Sequence, residues 1–224
     1  MNEALLEAVE VTLGDTCDRS VIWLHGLGAD GYDFQPIVPE LGLPKDAGVR
    51  FVFPHAPQRP VTVNAGMTMR AWFDIYGIGA GFPQDAEGVE ASAAAVSALL
   101  ERERSRGVAP EHTVLAGFSQ GGAIALHAGL RHPERLAGIM GLSTWIPLPE
   151  QLAAELHPAN RRTPLFLAHG SRDPVVPPEL GIRSRDWLEA EGYPVEWHDY
   201  PMEHQVCLEQ VQDIGAWLGR VLGV

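Results

Sequence analysis

The segment Gly117-Phe118-Ser119-Gln120-Gly121 follows an apolar run and leads into a stretch rich in alanine and glycine, up to Leu130. A serine between two glycines at a strand-to-helix turn has a defined chemical use. The pattern Gly-x-Ser-x-Gly lifts the hydroxyl onto a tight, strained turn, and the helix beyond aims the positive end of its dipole at it. The two glycines answer to backbone approaches so close that a Cβ would collide. A serine N-cap on an ordinary helix is the simpler use of this residue type, but it accounts for neither glycine. A serine hydroxyl is a poor nucleophile at neutral pH, so it needs a base, and the base needs an orienting acid. Of nine histidines, His112, His127, His132 and His198 fall in or beside predicted helices and strands. His204, in YPMEHQ, lies on a loop between the last predicted strand and the last predicted helix. Asp173, in GSRDPVVP, holds the equivalent place after an earlier strand, where a turn aspartate before proline is the plain alternative. Nucleophile, acid and base come in the order Ser119, Asp173, His204, with room for one βα unit in each gap.

Acyl transfer also needs donors for the oxyanion that develops on the attacked carbonyl. The backbone N–H of Gln120, at the start of the helix, is one candidate. The other is the N–H of Leu27, in the loop after VIWLHG, where Gly26 and Gly28 free the backbone to turn it inward. That loop, GLGADG, also fits Gly-x-Gly-x-x-Gly, the dinucleotide fingerprint. The fingerprint requires an acid at the end of the next strand to hold the ribose, and that strand ends FVFPHAP. No His-Glu-x-x-His, Cys-x-x-Cys or phosphate-loop pattern occurs, so neither a metal nor a cofactor is expected.

These residues require a scaffold that delivers loops to one place. Residues 9–14 alternate as an edge strand does, whereas 20–26, 49–57, 112–118, 136–143 and 164–170 are continuous apolar runs of the kind buried on both faces. Residues 195–200 add a last strand, and helices are predicted over 85–107, 120–131, 149–156, 179–191 and 205–221, the first capped by Asp85 and stopped by Gly107. Strands alternating with helices imply a mostly parallel sheet covered on both faces, with chemistry at the carboxyl ends of the strands.

Composition narrows the partners. With 29 acidic and 16 basic residues the net charge is −13, which repels phosphate backbones and anionic lipid, so nucleic-acid binding is not expected. Two cysteines, Cys17 and Cys207, make no disulfide framework, and the acidic start MNEALLEAVEVTL does not read as a signal peptide; both point to a cytoplasmic protein. No apolar run approaches the ~20 residues that span a bilayer, so no stable membrane anchoring is expected.

The stretches IWLHGLGADGYDF, FPHAPQRPVTVNAGMTMRAWFDIYG, LAGFSQGGAIAL, HGSRDPVVP and YPMEH run in the order of a known family. Together they resemble the carboxylesterase and acyl-protein thioesterase (lysophospholipase-like) branch of the α/β hydrolases. The resemblance implies an α/β-hydrolase fold in one domain over residues 1–224, without a large lid, and often a homodimer. It assigns Ser119, Asp173 and His204 as the triad and the N–H groups of Leu27 and Gln120 as the oxyanion hole, in agreement with the reading from the residues. It implies a small-molecule acyl ester or thioester as substrate. The expected activity is carboxylesterase action on short to medium acyl chains, with acyl-protein thioesterase or lysophospholipase activity as alternatives and a ligand-binding member without turnover as the non-enzymatic one. The loop VTVNAGMTMRAWFDIYGIGAGF looks like the family's acyl-groove segment, with Trp72 as a wall and Trp145 and Val176, near two strand ends, as further walls; plain core packing is the alternative for each of the three. Relatives carry a small residue before the histidine, whereas this chain has Glu203. A carboxylate beside His204 favours its charged form.

Overall fold

The computed structural model of the chain describes residues 5–77, 79 and 81–224. Its main sheet has seven strands: β1 (Ala8–Leu13), β2 (Arg19–Leu24), β3 (Val49–Pro54), β6 (Thr113–Phe118), β7 (Gly138–Leu142), β8 (Leu165–Gly170) and β9 (Val195–Tyr200). Their order is β1-β3-β2-β6-β7-β8-β9, all parallel except β1, which pairs antiparallel with β3 at the edge. This is the predicted α/β-hydrolase sheet. Between β3 and β6 the chain also forms a small antiparallel hairpin, β4 (Gln58–Val61) with β5 (Met67–Arg70).

Side-chain alternation explains why the inner strands read as unbroken apolar runs. Ile22 and Leu24 of β2 face one core and Val21 and Trp23 the other, and each core is closed by helices. Helices α1 (Ala86–Ser105), α2 (Gln120–Arg131) and α4 (Pro178–Ala190) cover one face; α5 (Leu208–Leu222) and a 3-10 helix at Gln35–Leu41 cover the other. A short α3 (Pro149–Glu155) precedes β8. Helix α2 lies between the sheet and α1, which is why every residue from Gln120 to Leu130 is buried. The caps expected on α1 are present. The Asp85 carboxylate accepts the Gly88 N–H at 2.9 Å, and Gly107 at φ 91° lets the Val108 N–H return to the Glu103 carbonyl.

The chain runs outward from β2 to β3, then crosses back to β6 on the other side of β2. The reversal opens a crevice at the carboxyl ends of β2 and β6, the place where ligands bind in such sheets. The loop after β2 carries Leu27 and the turn after β6 carries Ser119. That loop leads into a 3-10 helix rather than an α-helix, so Gly26–Gly31 lacks the helix N-terminus on which a dinucleotide phosphate would rest.

Candidate active site

Ser119 is the single residue between β6 and α2, at φ 54° and ψ −121°. For a residue with a Cβ this is a strained conformation, costing about 1–3 kcal/mol. Three hydrogen bonds hold it. The Ser119 N–H donates to the Leu142 carbonyl at 2.8 Å, and the Ser119 carbonyl accepts from Thr144 Oγ1 at 2.6 Å and from the Ala123 N–H at 3.1 Å. The flanking glycines are dictated by contact. A Cβ on Gly121 would lie 2.5 Å from the carbonyl oxygens of both Leu24 and His25, and one on Gly117 would run into the backbone of Gly121. The turn is therefore locked against the end of β2.

Two turns separate β9 from α5, and they shorten the last helix. The Met202 N–H donates to Tyr200 O and the Gln205 N–H to Glu203 O, so α5 begins at Leu208 instead of near 205. His204 sits in this turn with its Nε2 2.9 Å from Ser119 Oγ and its Nδ1 2.7 Å from Asp173 Oδ2. Phe118 packs on the imidazole at 4.7 Å between ring centres. The Asp173 side chain is wholly buried, and its Oδ1 accepts the N–H groups of Val175 and Val176, each at 2.9 Å. Every oxygen of that carboxylate thus has an assigned donor. Glu203 is exposed and forms no ion pair with His204 among the described residues.

The loop after β2 closes on the same point. A Cβ on Gly26 would lie 3.5 Å from the Ser119 Cβ, and Gly28, at φ 77°, donates its N–H to the Arg70 carbonyl at 2.9 Å. The N–H of Leu27 finds no acceptor among the described residues, and that of Gln120, at the first helical position, has no intrahelical one. The Gln120 side chain has a role that sequence reading did not find. Its Oε1 accepts the Trp72 N–H at 2.8 Å and its Nε2 donates to the Phe73 carbonyl at 2.7 Å, tying the segment after the hairpin to the start of α2.

The three expected groove walls separate. Trp72 is fully buried: its Nε1 donates to the His25 carbonyl at 2.9 Å and its own carbonyl accepts the Ser92 hydroxyl. It braces the loop after β2 and is not among the residues that line the cavity beside Trp145. Val176 is also buried, committed to Asp173 through its N–H and to His169 through its carbonyl, which accepts His169 Nε2 at 2.9 Å. Trp145 does line a cavity of about 320 Å³, edge-on to Phe73 at 6.2 Å between ring centres, with Ile75, Phe82, Ile146 and Trp187. Apolar walls belong here to Phe73 and Ile75, one and three residues beyond Trp72. Ser119, His204, Leu27 and Gln120 do not line this cavity; its link to the turn at Ser119 runs through Phe73, whose carbonyl accepts Gln120 Nε2. Ile78 and Ala80 of the expected groove segment lie outside the described residues. Among those residues no three His, Cys, Asp or Glu side chains cluster as metal ligands, and no helix is long and apolar enough to cross a membrane.

Three buried histidines should make the fold acid-sensitive. Burial lowers the pKa values of His127 and His169 and brings that of His25 down to about 4. Below the ordinary value near 6.5 the unfolded chain takes up protons that the folded one refuses, so stability falls as the pH drops from there toward 4. Between pH 7 and pH 5, His25 alone should remove about 2 kcal/mol. A urea midpoint that falls clearly over this range is the expected result, and a midpoint that stays constant would contradict it.

The sequence of this chain matches the phospholipase/carboxylesterase family over residues 9–222. It is 41% identical to acyl-protein thioesterase 1 of Gibberella zeae, covering 91% of this chain and 90% of that protein. It is 37% identical to the protein of that name from Yarrowia lipolytica, over 94% and 95% of the two chains. The crystal structure of Zea mays acyl-protein thioesterase 2 superimposes with a TM-score of 0.86 at 31% identity, covering 97% of this chain and 99% of that one. Sequence, sheet order and the turn at Ser119 agree: the chain belongs to the phospholipase/carboxylesterase family of α/β hydrolases.

Proposed function

We propose that the chain is a single-domain, cytoplasmic serine hydrolase that cleaves carboxylic esters of short to medium acyl chains through an acyl-enzyme. The observation that carries this reading is the unbroken relay from Ser119 Oγ through both ring nitrogens of His204 to Asp173, at 2.9 and 2.7 Å. In the reaction Ser119 Oγ attacks the acyl carbonyl as its proton passes to His204 Nε2. Asp173 holds Nδ1–H and stabilises the imidazolium. The N–H groups of Leu27 and Gln120 receive the oxyanion. Collapse of the tetrahedral intermediate breaks the acyl–oxygen bond, and His204 returns the proton to the leaving alcohol. Water then repeats the sequence on the acyl-serine and releases the acid. The acyl chain is assigned to the cavity of about 320 Å³ beside Trp145, whose wall Phe73 is bonded to Gln120; it lies at the small end of the range of small-molecule sites, ~300–1,000 Å³, which suits a short or medium chain.

A second reading is thioester cleavage, favoured by the relatives named acyl-protein thioesterase. The same relay serves it, with a thiol as leaving group. One panel separates the readings: kcat/KM for esters of increasing acyl length, an S-acylated peptide and a lysophospholipid. The expected order places short and medium esters first, with no jump in rate at the micellar threshold. A sharp optimum at long chains, or a strong jump at lipid interfaces, would overturn the ester reading, and an S-acyl peptide that outranks every ester would install the thioester one.

A further inference from the structure

We propose that His25 is a positioning residue for the oxyanion site, its imidazole fixing the Gly26–Leu27 peptide so that the Leu27 N–H faces the reacting centre; this rests on the function proposed above. His25 follows β2 directly and is 2% exposed. Its Nε2 lies 3.0 Å from the Ala56 backbone nitrogen, and its Nδ1 lies 2.7 Å from the Gly26 carbonyl oxygen. A backbone N–H can only donate, so Nε2 must be the acceptor and carry no proton. The proton is then on Nδ1, which donates to the Gly26 carbonyl. Both ring nitrogens are thereby assigned by their partners.

The consequence lies in the peptide that follows. The carbonyl of Gly26 and the N–H of Leu27 belong to one planar trans peptide, so they point in opposite directions. Anchoring the carbonyl on the His25 ring turns the Leu27 N–H to the other side. The neighbouring peptides are held as well: Trp72 Nε1 donates to the His25 carbonyl, and the Gly28 N–H donates to Arg70. The Gly26 carbonyl also accepts the Ala29 N–H, at 3.3 Å, so without the ring that one long turn bond, with glycines on both sides of Leu27, is all that keeps the peptide from rotating to present its carbonyl, which would repel an oxyanion. Packing of the ring against Trp72, with centres 5.4 Å apart, and its burial keep it neutral, so that Nε2 remains an acceptor.

Two substitutions isolate the one hydrogen bond. In His25→Asn the amide nitrogen can stand where Nδ1 stands and still donate to Gly26, whereas in His25→Gln the amide reaches only the Nε2 position, near Ala56. His25→Gln should lower kcat by about 10²-fold, as the loss of one oxyanion donor does, with KM nearly unchanged. It should weaken inhibition by a trifluoromethyl ketone, whose adduct carries the oxyanion, in the same proportion. His25→Asn should recover most of both losses. Equal losses in the two variants, an unchanged kcat in His25→Gln, or a loss confined to KM would overturn the proposal. Labelling of Ser119 by a fluorophosphonate, followed to completion in parent and variants, separates this failure from failure of the hydrolase reading, in which the parent itself would not label. Should either variant fail to fold, nitrogen NMR of the parent at pH 7 decides instead. A protonated Nδ1 and bare Nε2 on His25 are required, and the opposite tautomer overturns the proposal.

Discussion

Replacing Ser119 by alanine is expected to lower esterase kcat by about 10⁶-fold, down to the rate that binding and the oxyanion donors sustain alone. The size follows from how the hydroxyl is placed. Ser119 Oγ has His204 Nε2 as its hydrogen-bond partner, 2.9 Å away, and its removal leaves the base with nothing to deprotonate. The fold should survive, because the bonds that hold φ at 54° all involve the backbone of Ser119, which alanine retains. Single-turnover rates together with a thermal melt check both halves. Activity within tenfold of the parent would show that another group attacks the carbonyl.

The second large effect belongs to Asp173→Asn, where the direction of the amide can be worked out in advance. Oδ1 of Asp173 receives two backbone N–H groups, from Val175 and Val176. An amide nitrogen cannot accept them, so the asparagine oxygen must take that position and its NH₂ must face His204. The NH₂ would then donate to Nδ1 and hold the proton on Nε2, the tautomer that cannot take a proton from Ser119. A fall of about 10⁴-fold in kcat, with KM little changed, is expected. The packing cost should be slight, since the side chains have equal size. A loss below tenfold would mean that Asp173 does not set the tautomer of His204.

The parts of the fold that could be read from the sequence are those governed by burial on two faces. Strands β2, β3, β6, β7 and β8 announce themselves because Val21 and Ile22, or Leu165 and Phe166, face opposite cores and leave no polar position between them. Hairpin β4–β5 escaped notice because each strand has only four residues, half of the eight are exposed, and Gln58-Arg59-Pro60-Val61 shows no apolar alternation. The residues brought together at the seam were legible because Gly117, Ser119 and Gly121 must be close in sequence to make the turn. Bonds made across the fold leave no such trace. Nothing near Gln120 shows that its side chain will grip Trp72 and Phe73, 48 and 47 residues away. Nor does the sequence around Trp72 show that its indole N–H turns inward to His25 instead of facing substrate, a choice made by a carbonyl just beyond the end of β2.

Whether Ser119 is the attacking group is decided by treating the protein with a fluorophosphonate and locating the adduct by peptide mass spectrometry. One phosphonyl group per chain, on the peptide that contains Ser119, and none on the Ser119→Ala variant is the expected result. An adduct on a different residue, or equal labelling of parent and variant, would contradict it.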